Sequence, residues 1–176
     1  MHTLVSSPSD YILILADAID KLTAHSFISK CQSKYLASRK SCLDQKSCIV
    51  LLDFAENYHF HVQDEIQRFY WNQGQCTIGH PVVIYYKNHD QLCSASFCYI
   101  SDDLNHDTIF VHELLSHVTS LVSSLDPRIN SIQYFLDGCA GQYKNMFNLC
   151  FHKSDFNMAA SWSFFTTSHG PQEFSM

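Results

Sequence analysis

Apolar positions change their period several times along the chain, and each change marks an element. Over residues 10–28, Tyr11, Leu13 or Ile14, Ala18, Leu22 and Phe27 recur at helical spacing and predict one helix. A second, more basic helix is expected over residues 30–40, with Tyr35 and Leu36 facing inward. Most charge in this region is positive (Lys30, Lys34, Arg39, Lys40 and Lys46), which reads first as a solvated face. From Cys48 the pattern turns to strand. Cys48-Ile49-Val50-Leu51-Leu52 is a continuous apolar run of the kind buried on both faces of a sheet. Val62, Ile66, Phe69 and Tyr70 return to helical spacing. Residues 77–86 and 94–100 read as two strands, and the polar stretch 87–91 between them predicts a hairpin.

The second half alternates helix and strand. Asp107 is a plausible N-cap for a helix to about residue 124. Ile109, Val111, Leu114, Leu115, Val118, Leu121 and Val122 would give that helix a wide apolar stripe. Pro127 marks its exit. Residues 129–136 form another apolar strand ending in Asp137-Gly138, followed by a helix over 142–152 and a strand near 161–167. Strand, two-strand hairpin, helix, strand, helix, strand is the order of an α/β domain with a mixed sheet. The two continuous apolar strands, 49–52 and 132–136, should lie side by side at its centre under the helix of 108–124.

Composition narrows the function. At 46% hydrophobic and 16% charged, the 176-residue chain is not disordered, and 14% aromatic residues imply a filled core. A net charge of -6 lacks the basic excess of a domain that holds nucleic acid by charge alone, so a nucleic-acid role must rest on a local site. No basic-then-apolar leader opens the sequence, and no run approaches the roughly 18–20 apolar residues of a membrane helix. Both observations point to an intracellular protein with no membrane partner. The eight cysteines show no C-x-x-C spacing and are expected as buried free thiols.

Two acids stand where α/β sheets often place chemistry, just past the carboxyl ends of buried strands: Asp53 after 49–52 and Asp137 after 134–136. Neighbouring strands would converge their carboxylates, and paired carboxylates suit a hard cation such as Mg²⁺. The bland alternative is a solvated cap at Asp53 and an ordinary Asp-Gly turn at Asp137.

These residues also carry a resemblance. Leu51-Leu52-Asp53-Phe54-Ala55-Glu56-Asn57-Tyr58, His80-Pro81-Val82-Val83-Ile84-Tyr85-Tyr86 and Asp137-Gly138-Cys139-Ala140-Gly141-Gln142-Tyr143-Lys144-Asn145 resemble a transposon-derived family common in animal genomes. So do Asn148-Leu149-Cys150-Phe151-His152 and the stretch from Trp162 to Gly170. That family's members look like DDE-type transposases with a ribonuclease-H-like core, and the resemblance spans roughly residues 10–170. It implies a ribonuclease-H-like mixed sheet flanked by helices (47–170), preceded by an N-terminal helical segment (1–46) and followed by a frayed tail (171–176). It also implies that Asp53 and Asp137 are catalytic acids holding Mg²⁺ or Mn²⁺, with DNA as partner; a homo-oligomer and a nuclear location are further expectations for the chain. Gln142-Tyr143-Lys144-Asn145 opens a helix just after Asp137, where Lys144 is either a phosphate contact, as the resemblance suggests, or part of an ordinary polar helix face.

The chain departs from the family pattern at its end. In the relatives Ser-His-Gly continues into a Gly-rich stretch with a further Asp, then a helix associated with the third acid. Here Gly170 is followed by Pro171-Gln172-Glu173-Phe174-Ser175-Met176, and Glu173 is the one carboxylate there. The expectation is a domain incomplete at its C-terminus and weak or inactive in DNA cleavage, because a two-metal site usually needs more than two acids. The alternative is a non-catalytic interaction domain that retains the fold. A zinc module is weaker still: His59 and His61, Cys150 and His152, and His112 and His117 show no finger spacing among eleven histidines. Residues five apart sit about 140° around a helix, so His112 and His117 cannot chelate from one face. Cys139, with no histidine in register, reads as a small thiol rather than a nucleophile.

Overall fold

In the computed structural model the described residues are 7–52, 58–59, 75–101, 107–136 and 146–165. Three helices, α1 (Pro8–Ser41), α2 (Thr108–Leu125) and α3 (Met146–Phe156), accompany six strands. The strands are β1 (Ser47–Leu52), β2 (Tyr58–His59), β3 (Gln75–Asn88), β4 (Gln91–Ser101), β5 (Ser131–Leu136) and β6 (Ala159–Phe164). The architecture is mixed α/β.

Hydrogen bonding across the sheet runs β4-β3-β1-β5-β6, and β2 pairs briefly with the start of β3. β4, β3 and β1 are antiparallel neighbours, whereas β1, β5 and β6 run parallel. The β3–β4 hairpin closes through a two-residue turn, tighter than the polar stretch suggests. His89 (φ 46°) and Asp90 (φ 65°) both adopt the left-handed conformation that such turns require. The β3–β4 register shifts between Gly79 and Pro81, where a proline that cannot donate to the ladder is accommodated.

β1 and β5 are the adjacent strands that their continuous apolar runs predict, and both faces of the sheet cover them. On one face Cys48, Val50, Leu52, Val82, Ile84, Ile132, Tyr134 and Leu136 pack against Val111, Leu114, Leu115, Val118 and Val122 of α2. On the other, Ile49 and Phe135 pack with Leu43, and Leu36 of α1 lies partly buried beside them. Alternate side chains of one strand thus serve two separate cores. Asp107 caps α2 as its position predicts, its carboxylate accepting from the backbone N–H of Ile109 (3.0 Å) and Phe110 (2.9 Å).

Several expectations need correction. The two helices expected over 10–28 and 30–40 are one continuous α1, because no glycine or proline interrupts hydrogen bonding between them. Ser7 caps it by accepting from the Asp10 N–H. Its apolar positions do not form a core face, since Leu13 (70% exposed), Leu22 (65%) and Phe27 (69%) lie in solvent. Only the last third of α1 meets the sheet: Gln32 donates to the Phe164 carbonyl (3.0 Å), and Arg39 donates to the Gln133 side chain (2.8 Å). Tyr35 faces the sheet only by its rim, half exposed, with its ring 5.9 Å from that of Phe135.

Ile109 is exposed rather than part of the α2 stripe, being about 200° around the helix from Val111. β5 begins at Ser131 rather than 129, because the Ile129 N–H is spent on the Asp126 carbonyl at the helix exit. α3 continues past residue 152 to Phe156, whose ring packs on His152, and Asn157 (φ 54°) ends it. β6 starts two residues earlier than its pattern suggests. The helical spacing at 62–70 lies outside the described residues.

Candidate functional site

The carboxyl ends of β1 and β5 meet in direct register. Ser47 pairs with Ser131, Val50 with Tyr134, and the last residues, Leu52 and Leu136, pair with each other. Val82 of β3 flanks Leu52 and Phe164 of β6 flanks Leu136, so this end of the sheet reads Val82, Leu52, Leu136, Phe164 across four strands. Leu52 and Leu136 are buried, and the Leu136 carbonyl accepts from the Phe165 N–H at 2.8 Å. In the sequence the residues that follow this pair are Asp53 and Asp137. Asp53, Asp137, Lys144, Cys139 and Glu173 lie outside the described residues.

A buried polar cluster stands farther back on the same core face. Tyr134, in the middle of β5, reaches the His152 Nε2 on α3 at 2.9 Å, and His152 Nδ1 reaches the Met158 carbonyl at 3.1 Å. A carbonyl only accepts, so Nδ1 carries the proton, Nε2 accepts, and the Tyr134 hydroxyl donates. Trp162 stacks on the Tyr134 ring, centroids 4.4 Å apart. Burial holds His152 below the usual histidine range, opposed by the Met158 carbonyl and Asp155. Burial likewise raises Tyr134 and pushes the Cys48 thiol up to about 12. A neutral imidazole, a protonated phenol and a protonated thiol, all buried, are packing groups rather than a nucleophile and its base. The sequence reading missed this cluster. Its one available signal was a tyrosine in the middle of an otherwise apolar strand, a residue that needs a partner for its hydroxyl when buried.

The remaining polar groups are structural. Asp126, at the exit of α2, accepts three hydrogen bonds from the Arg128 guanidinium, which holds its carboxyl near 2. Gln133 accepts from Arg39 and donates to the Tyr35 hydroxyl, tying α1 to β5. Lys40 sits over the Tyr85 ring at 3.5 Å, so one lysine of the basic stretch packs on the sheet rather than standing in solvent.

Of the described histidines, His112 and His152 both pack on the Phe156 ring, but no set forms a ligand cluster. His112 pairs with Asp155 (3.3 Å), His117 lies against the Tyr99 ring, and His152 is buried while Cys150 is exposed. Among the described residues no three His, Cys, Asp or Glu side chains come together as a metal would need. The cysteines correct the expectation of buried thiols: Cys48 is buried, Cys93 is intermediate, and Cys31, Cys42, Cys98 and Cys150 are exposed, all free. No helix among the described residues is long and apolar enough to cross a membrane.

Compared with known families, residues 32–174 match the model of a domain of unknown function, DUF8701. No curated protein and no solved structure matches the chain. The match begins at Gln32, the residue at which α1 first hydrogen-bonds to the sheet.

Proposed function

The chain belongs to the DUF8701 family, and from that premise we propose that it is a ribonuclease-H-like domain of transposase ancestry, with Asp53 and Asp137 as a divalent-cation pair directed at nucleic-acid phosphates. The observation that carries the reading is the parallel register of Leu52 and Leu136, one peptide bond before each acid. Adjacent strands lie about 4.8 Å apart and successive Cα atoms about 3.8 Å, so positions one residue past this pair can be no more than about 12 Å apart at Cα, a bound that allows a shared ion.

The topology agrees with the reading. Counted along the main sheet, the order is third, second, first, fourth, fifth strand, antiparallel through the first three and parallel thereafter, with helices before the fourth and fifth. Three antiparallel strands followed by helix, strand, helix, strand is the element order that the sequence resemblance implies, and this supports the reading. Carboxylate oxygens with no thiolate or imidazole on the described strand ends fit Mg²⁺ or Mn²⁺ better than zinc. Such ions, when bound, polarise phosphate oxygens and activate an attacking hydroxyl or water. The protein's own part is to hold two carboxylates on rigid strands, exclude water beneath them with Leu52 and Leu136, and offer Lys144 to a phosphate.

The test is thermal unfolding with Mn²⁺. A ligand that binds only the folded state raises the midpoint. The wild type should show a rise that both Asp53→Asn and Asp137→Asn abolish, and no rise in the wild type would withdraw the proposal.

A second reading, a non-catalytic interaction domain, draws on the first two-thirds of α1. There Ile12, Leu13, Leu22 and Phe27 are each at least 65% exposed. A soluble monomer rarely leaves so much apolar side chain in water without a partner.

A further inference from the structure

Edge strands normally carry lysine, proline, a bulge or a short length that discourages further pairing. β4 itself is long and carries no lysine or proline, and the one irregularity in its pairing is the register shift at Gly79 and Pro81 of β3, opposite Tyr99 and Cys98. β4 is eleven residues long, and Gln91-Leu92-Cys93-Ser94-Ala95-Ser96-Phe97-Cys98-Tyr99-Ile100-Ser101 contains neither a charge nor a proline. One side pairs with β3 throughout, and among the described strands none pairs with the other. Its side chains alternate. Phe97 and Tyr99 turn toward the α2 core, whereas Leu92 (48% exposed) and Ile100 (65%) lie on the opposite, uncovered face.

Those two exposed apolar residues are symmetric about Ser96. We propose that β4 is a homodimer edge, on which a second copy of this chain pairs antiparallel about a two-fold axis through Ser96 to continue the sheet. In that register Leu92 faces the partner's Ile100, Ser94 faces the partner's Cys98, and Ser96 meets its own equivalent. Each copy therefore supplies what the other lacks, as an isologous interface requires.

Charge opposes self-association everywhere but least along this strand. A chain of net charge -6 repels itself, and an uncharged strand is where two copies approach at least cost. Asp90, in the turn beside β4, lies just outside the paired segment, so acid stands at its rim. Salt that screens this repulsion should tighten the dimer. The contact is small, at the lower end of specific interfaces, so the equilibrium is reversible and concentration-dependent.

The experiment is sedimentation of the full chain over a concentration series at low and high salt. The expected result is a monomer–dimer equilibrium that strengthens with salt. Ser96→Lys sets two ammonium groups against each other across the axis and should weaken association about tenfold or more. Ser33→Lys, at an exposed position on α1, makes the same charge change and should leave association intact. Circular dichroism and the unfolding midpoint establish that both variants are folded. Ser96→Cys with a short thiol crosslinker should join two copies through the substituted position. A monomer at every concentration overturns the proposal. So does a dimer that ignores Ser96→Lys, including one that Leu22→Asp on α1 dissolves.

Discussion

Leu52 and Leu136 are register partners at the ends of two parallel strands, both buried beneath α2, and each is the last residue before an aspartate in the sequence. Their pairing is the observation on which the proposed site rests, because the aspartates that follow them are 84 positions apart in the chain (137 minus 53). The arrangement needs β1 and β5 to be neighbours, and their apolar runs enforce it. Ile49 and Phe135 face one core, whereas Val50 and Tyr134 face the other, so neither strand can sit at an edge without exposing one set.

The buried His152 makes stability pH-dependent in one direction. Its folded pKa is lowered by burial, so between that value and the ordinary 6.5 the unfolded chain binds the proton that the folded chain refuses. The Met158 carbonyl and the Tyr134 hydroxyl hydrogen-bond to it, and His112 and Asp155 are the charged or titratable groups nearby. Its contribution is intact above pH 6.5 and is lost as pH falls toward the folded value. Urea midpoints should therefore drop between pH 7.5 and 5.5, and His152→Gln should flatten that segment of the profile.

Truncating core and α1 side chains should separate cleanly. Leu115→Ala empties space under the sheet and should cost about 2–5 kcal/mol in denaturant unfolding. Leu13→Ala removes a side chain that is 70% exposed on α1 and should change stability by less than about 0.5 kcal/mol.

Removing the α2 cap tests the local chemistry at the entrance to the second half. Asp107→Ala leaves the N–H groups of Ile109 and Phe110 without their carboxylate acceptor. The expected loss is about 1 kcal/mol by chemical denaturation, and Asp107→Ser should recover most of it.

Much of this fold is written in local pattern. The apolar run at 48–52, the cap at Asp107 and the α2 stripe each follow from period and residue type, and together they set the element order. What the pattern misjudges depends on long-range contact. Apolar residues at helical spacing suggest that α1 is buried along its length, but the helix runs beyond the sheet and leaves Leu13 and Phe27 uncovered. Tyr134 and His152 are 18 residues apart and on different elements, so only the folded chain reveals their hydrogen bond. In the sequence the acids read as residues just past two strands, and what the register of β1 against β5 makes definite is the adjacency of those strands.

The most direct test of the cation site is paramagnetic broadening by Mn²⁺, read on backbone amides of the isotope-labelled chain. The account predicts that amides at the shared strand end, Leu52, Leu136 and Phe165, broaden first, and that Asp53→Asn or Asp137→Asn removes the effect. Broadening centred on another part of the molecule, or unchanged in both variants, would contradict it.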